Sequence, residues 1–200
     1  MQEELRIVLI GEDRLCQAVM HRLLQHSGRN FCVVLARIEG GIGKIQQSIP
    51  KYCNACRATP HVILADLDQE PCPSALLAKW KLTHMPTSLL IRFAIREVEA
   101  WLLADAEGLA QFMSIPRAKV PQDPESLANP KQDLVNLARR SRSKRFKDEL
   151  VPSTGSRVPI GPLYNERLSQ FVQSSWSIER AALAAPSLQR AIDRLQTFLV

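Results

Sequence analysis

The residues best suited to chemistry are two aspartates, Asp66 and Asp68, at the end of the apolar run His61-Val62-Ile63-Leu64-Ala65. An apolar run of that length bounded by polar residues reads as a buried strand. Side chains alternate along a strand, so Asp66 and Asp68 are expected on one face. Two carboxylates on one face repel each other, and a cation between them relieves the repulsion. Mg²⁺ suits such a pair, because it takes one or two carboxylates and keeps several waters. The competing reading is that the two aspartates end the strand and cap the helix after it.

More acids occupy equivalent places. Glu12 follows the apolar stretch Leu5–Ile10, Glu39 follows Phe31–Ile38, and Glu97 and Glu99 follow Ser88–Ile95. In a parallel sheet ligands gather at the carboxyl ends of the strands, so these acids are expected to converge at one edge. Three or more carboxylates there would repel strongly unless a divalent cation neutralised them, unless each merely caps its own helix. Glu97 and Glu99 share a face on an extended segment and diverge on a helix. Trp101-Leu102-Leu103 reads as helix, so one of the two is expected to face the metal, with Arg96 pairing to Glu99 one turn away.

Alternating strands and helices must position these groups. Strands are expected at Leu5–Ile10, Phe31–Ile38, His61–Ala65 and Ser88–Ile95. Between them Leu15, Val19, Leu23 and Leu24 recur at helical spacing after the capping Asp13. A second helix opens at Gly40-Gly41-Ile42-Gly43-Lys44, and a third follows Pro71-Cys72-Pro73. This order predicts an α/β fold with a mostly parallel four-stranded sheet flanked by helices over residues 1–105. From 106 to 200 no convincing strand remains. A helical extension packed on the first part is expected, with helices at about 106–112, 131–140, 164–174 and 188–199 and proline-bearing linkers between them.

Other motifs carry less. The glycine-rich turn lacks a phosphate-loop pattern, which needs glycine at Ile38 and Ser or Thr at Ile45. A looser role remains, with backbone amides and Lys44 contacting a phosphate. Cys53-Asn54-Ala55-Cys56 has no second cysteine pair to complete a zinc site. The four histidines are dispersed with no nucleophile beside them, and Trp80, Trp101 and Trp176 read as core.

Charge is uneven. The net charge is +6, yet six of the nine residues from Arg139 to Lys147 are basic: Arg139, Arg140, Arg142, Lys144, Arg145 and Lys147. Such a cluster suits the phosphates of nucleic acid, or is a solvated helix face. No apolar run approaches the ~20 residues of a membrane span. The acidic start Met-Gln-Glu-Glu leads straight into a strand, and the five cysteines are an odd number. A cytoplasmic protein with reduced thiols is therefore expected.

A glutamate after the first strand and an Asp-x-Asp after the third resemble the Toprim domain of topoisomerases, primases and OLD-type nucleases. The whole chain is similar to an uncharacterised bacterial family of small Toprim-like proteins, often encoded beside AAA/ABC-type ATPases in phage-defence loci. The resemblance rests on Gly43-Lys44, Asp66-Leu67-Asp68, the run Arg96-Glu97-Val98-Glu99-Ala100-Trp101-Leu102-Leu103-Ala104-Asp105, and Ile160-Gly161-Pro162-Leu163-Tyr164-Asn165. Many relatives carry Glu-Gly at the end of the first strand. This chain has Ile10-Gly11, so Glu12 must take that place from two residues later.

The resemblance implies a nuclease dependent on Mg²⁺ (or Mn²⁺), partnered by an ATPase in anti-phage defence. Its metal ligands would be Glu12, Asp66, Asp68, Glu97 and Glu99, and Glu12, Asp66 and Asp68 would be catalytic. Lys44, Arg96 and the Arg139–Lys147 cluster would hold the DNA or RNA backbone; self-assembly stays open. The rival expectation is a non-catalytic sensor or regulatory subunit that binds an ATPase or nucleic acid.

Overall fold

Four short runs of aliphatic and β-branched residues form β1 (Leu5–Gly11), β2 (Phe31–Ile38), β3 (His61–Asp66) and β4 (Leu89–Ala94). In the computed structural model, which describes residues 4–82 and 84–199, they pair in the order β2-β1-β3-β4, every pair parallel. The first three residues of the acidic start therefore lie outside the described part. Parallel neighbours need crossovers, supplied by α1 (Arg14–His26), α2 (Ile42–Ala55) and α3 (Pro73–Lys79).

The strand order has a mechanical consequence. From β1 the chain steps outward to β2, then returns past β1 to β3 and β4. Right-handed crossovers in opposite directions place α1 on one face and α2 and α3 on the other. The packing agrees. Ile45, Ile49, Tyr52 and Leu76 join Ile10, Ile63 and Phe93 on one face, and Leu15, Val19 and Leu23 join Ile7, Leu9 and Leu64 on the other. The direction of winding reverses between β1 and β3, where open α/β sheets form a crevice at the strand ends.

The face covered by α1 also carries the helical half: α4 (Val98–Ala104), α5 (Ala106–Met113), α6 (Pro130–Arg139), α7 (Lys144–Leu150), α8 (Tyr164–Ser174), α9 (Ile178–Ala184) and α10 (Pro186–Gln196). Leu134, Phe171 and Leu188 belong to the same continuous core as Ile7 and Leu64. The two parts expected on either side of residue 105 thus share one core. All seven residues of α4 are buried, as an almost wholly apolar helix requires. Its Trp101 Nε1 donates to Ser187 Oγ at 2.7 Å, and Trp176 Nε1 donates to the Trp101 carbonyl at 3.2 Å.

Two helices escaped the pattern of apolar spacing. α7 buries only Leu150 and α9 only Ile178 and Ala181, too few for a period to show. β2, apolar on both faces, is an edge strand whose second half is exposed, whereas α10 packs on the opposite edge strand, β4.

Candidate functional site

The crevice between β1 and β3 receives Glu12 from one strand end and Asp66 from the other. β1 stops pairing at Gly11, which stands opposite Leu64. The ladder donors of β3 toward β1 recur at every second residue, so the next is the Asp66 N–H. The Glu12 carbonyl has turned away to accept from Gly40 N at 2.8 Å, and Glu12 Oε1 accepts from Asp66 N at 2.6 Å instead. Gly40 and Gly41, with φ of 77° and 126°, make the turn that brings the start of α2 back to Glu12.

Asp66 faces the α1 side of the sheet, in step with Val62 and Leu64, and its Oδ1 accepts from Val98 N at 2.8 Å. It therefore caps α4 from a neighbouring strand, because Glu97 at the cap position makes no side-chain cap of its own. Asp68 is exposed and takes a left-handed φ of 51°, which aspartate tolerates better than most residues. That turn breaks the alternation expected to put both aspartates on one strand face. Their charges still act on neighbouring acids in pairs: Glu12 feels Asp68, Asp68 feels Glu97, and Asp66 feels Glu99 and Glu12.

Glu99 is 1% exposed in the first turn of α4. Its Oε1 accepts from Tyr164 Oη at 3.2 Å and lies 3.6 Å from Lys131 Nζ, while its buried Oε2 has no partner among the described residues. Glu97 Oε2 accepts from Lys131 N at 2.8 Å, and Oε1 lies 3.5 Å from Lys131 Nζ. Both glutamates thus turn toward the start of α6. Burial pushes the Glu12 carboxyl up to about 7, despite the stabilising N–H of Asp66. Burial likewise pushes Glu99 up to about 7, against the pull of Lys131. Asp66 is raised by burial, then by Glu99 and Glu12. Burial works to lower Lys131, but Glu99, Glu97 and Asp66 together carry it above the usual lysine range.

Lys131 and Tyr164 are site residues that the strand-end logic missed, because they come from the helical half. Faint signals exist. Asn129-Pro130 announces a helix start, where the helix dipole disfavours a lysine unless an acid awaits it. Tyr164 lies in the Gly-Pro-Leu-Tyr-Asn run.

Other expectations need correction. Glu39 does not join the cluster: it accepts from Tyr52 Oη and pairs with Arg37 Nε at 3.3 Å, on the α2 side. Arg96 does not pair with Glu99. With a left-handed φ of 61°, it turns its guanidinium to the Asp68 carbonyl at 3.1 Å and Gln69 Oε1 at 3.3 Å, bracing the Asp68 turn. Lys44 is exposed in the first turn of α2, on the Glu12 side of the crevice. Arg139, Arg140, Arg142, Lys144, Arg145 and Lys147 are all exposed. They begin at the far end of α6 from Lys131, about 12 Å along the helix for eight residues. The structure therefore does not gather them with the carboxylates. Cys53 and Cys56 are free thiols, with Cys56 buried.

Among the described residues, no three carboxylate, histidine or cysteine side chains stand close enough to hold one ion as arranged here. Their chemistry nevertheless fits a hard divalent cation. The donors are all carboxylate oxygens, and one of them, Glu99 Oε2, is buried with no hydrogen-bond partner among the described residues. No protein family, curated protein or solved structure matches the chain. Among the described residues no helix is long and apolar enough to cross a membrane.

Proposed function

We propose that the protein is a phosphodiesterase acting on nucleic acid with Mg²⁺ or Mn²⁺. The observation that carries this reading is Glu99 Oε2, buried without a partner among the described residues, beside carboxylates that influence one another in pairs around the end of β3: Asp66 with Glu12 and Glu99, and Asp68 with Glu97. Asp66, Asp68 and Glu99 would hold the cation, and Glu97 would complete the set on release from Lys131. When bound, the cation supplies charge stabilisation at a phosphoryl group. Glu12, with a carboxyl near 7, exchanges a proton with a reacting oxygen at neutral pH. Its bond to Asp66 N fixes the carboxylate for that task. Lys131 neutralises the acids before a phosphate arrives and faces that phosphate afterwards. The ATPase partner and the role in phage defence rest on the family resemblance alone.

One observation favours the non-catalytic reading: Lys131 already supplies a cation to Glu97 and Glu99, and Glu12 already serves the sheet as a ladder acceptor. Plasmid DNA and RNA incubated with Mg²⁺ or Mn²⁺ separate the two. The phosphodiesterase reading expects cleavage that Asp66→Ala abolishes. No cleavage in either metal, with and without an added ATPase, leaves the regulatory reading.

A further inference from the structure

A cavity of about 390 Å³ lies between the last two turns of α2 and the sheet. Its floor is a row across three strands: Leu35 of β2 stands opposite Val8 of β1, and Val8 opposite His61 of β3. Neighbouring strands lie about 4.8 Å apart, so the row is about 10 Å wide. Arg37, two residues beyond Leu35 on the same face of β2, stands at the outer corner. Lys51, Tyr52 and Ala55 of α2 form the roof. His61 opens β3 and Asp66 ends it, which sets the cavity about 16 Å along the strand from the acidic crevice. We infer that this cavity binds a small planar organic anion with an N–H or O–H donor at the end away from its charge.

Three observations support the assignment. First, a buried ring presents an unused acceptor. His61 is 5% exposed, and its Nδ1–H donates to the Thr59 carbonyl at 2.6 Å. With that proton on Nδ1, Nε2 is an acceptor. Nε2 has no hydrogen-bond partner among the described residues, yet it is not one of the side-chain atoms sealed from solvent. His61 lines the cavity, so a donor placed there reaches it. Second, the charge is positive by a small margin. The lining holds Arg37 and Lys51 and no acid. Glu39, just outside it, accepts from Tyr52 Oη and pairs with Arg37 Nε at 3.3 Å, which offsets one of the two cations. Lys51 has no ion-pair partner among the described residues. One net positive charge suits one anionic group. Third, the body of the cavity is apolar and lies between two layers. Val8 and Leu35 form the floor and Ala55 faces them from α2. Leu35 is 51% exposed, because β2 is the outermost strand there. A flat apolar body fits between a helix and a sheet.

The combination is specific. A bare inorganic anion would use the cations and leave both Nε2 and the apolar floor idle, and a polyanion would find too little charge. Few polar groups set around an apolar body are the usual form of a small-molecule site. The cavity also gives Glu39 a role. The strand-end acid that misses the crevice holds Arg37 and Tyr52 in place here. No acid of the crevice lines the cavity, so the inference stands independently of the phosphodiesterase reading.

Isothermal titration calorimetry of the full chain in EDTA tests it with two probes of this chemistry, 4-aminobenzoate and cytidine 5′-monophosphate. Benzoate lacks the donor, cytidine lacks the charge, and inorganic phosphate lacks the body. At least one probe is expected to bind about tenfold more tightly than its controls, the worth of one charge-assisted hydrogen bond. Binding of the first assigns a carboxylate ligand and binding of the second a phosphate. Lys51 and Ala55 are exposed, so changing them leaves the core untouched. Lys51→Glu should weaken binding about tenfold or more while Lys51→Arg retains it, and Ala55→Phe should fill the cavity and abolish binding. His61→Phe should erase the preference for a probe over the control that lacks its donor, a change that a smaller folded fraction cannot imitate. Asp68→Asn, at the crevice, should bind as wild type does. The inference is overturned if neither probe outbinds its controls, or if Lys51→Glu and Ala55→Phe bind like wild type. Stronger binding by Asp68→Asn also overturns it, by moving the anion to the crevice. None of these outcomes bears on cleavage, which Asp66→Ala tests separately.

Discussion

Replacing Lys131 by methionine removes the ammonium that pairs with Glu97 and Glu99 while keeping most of the side chain's bulk. Its Nζ lies 3.5 Å from Glu97 and 3.6 Å from Glu99, so each attraction is worth about 5 kcal/mol gross at an effective dielectric constant near 20. Desolvation offsets most of that, and breaking a fully buried pair costs about 3–5 kcal/mol net. Lys131 is 32% exposed, which roughly halves the figure, to about 2 kcal/mol.

The loss should depend on pH, with a definite sign. Glu99 titrates near 7 in the fold against 4.5 as a free side chain. As an acid with a raised pKa, it binds its proton more tightly folded than unfolded, so stability falls as pH climbs from about 4.5 to 7. Lys131 holds that folded value down. Without it Glu99 keeps its proton to higher pH, and the variant's extra loss grows above 7. Urea melts of Lys131→Met and wild type should therefore differ by about 1 kcal/mol at pH 5, where Glu97 alone loses its partner, and by about 2 kcal/mol at pH 9. The larger figure corresponds to about 4–8 °C in Tm. An equal loss at both pH values, or a greater one at pH 5, would refute the account of a buried carboxylate restrained by this lysine.

Glu12→Gln keeps an acceptor for Asp66 N, so its melting temperature should stay within a few degrees of wild type while cleavage is lost. Glu12→Ala leaves that N–H bare and should cost about 1–3 kcal/mol by chemical denaturation. Mg²⁺ should raise the melting temperature more at pH 8 than at pH 5, because protons compete for Glu99 below about 7 and burial favours the protonated form of Asp66 as well. Thermal melts of Asp66→Asn should show that gain much reduced, and an unchanged gain would move the cation elsewhere. Gly161→Ala should destabilise by about 3 kcal/mol or more in the same assay, since a Cβ there would stand 2.4 Å from the Glu149 carbonyl oxygen and 2.5 Å from the Leu150 carbonyl carbon.

The local elements were legible because their causes are local. Apolar runs of six to eight residues mark β1 to β4, Asp13 caps α1 through a bond to Cys16 N, and Gly28 follows its end. The acids after the strands were legible too, since a parallel sheet sends every strand end to the same edge. Spacing alone could not say which acid reaches the crevice. Glu39 sits at an equivalent strand end, but β2 lies outermost in the sheet, and Tyr52 and Arg37 engage its carboxylate there. Asp68 leaves the face of Asp66 because the chain takes a left-handed turn, braced by Arg96, that alternation along a strand does not anticipate.

Tertiary structure alone decided the neighbours. The order β2-β1-β3-β4 sets Glu12 beside Asp66, 54 residues away, where its side chain replaces a missing ladder acceptor. The shared core draws α6 and α8 over α4, so Lys131 and Tyr164 arrive from distant sequence to engage Glu99. The same packing carries the basic segment of Arg139–Lys147 to the far end of α6, away from the acids. The sequence by itself determined which residues carry charge and which strand ends carry acids. Which of them meet was decided by the burial of apolar faces, because the energy that orders the helices lies in the core rather than in the charged groups that the core brings together.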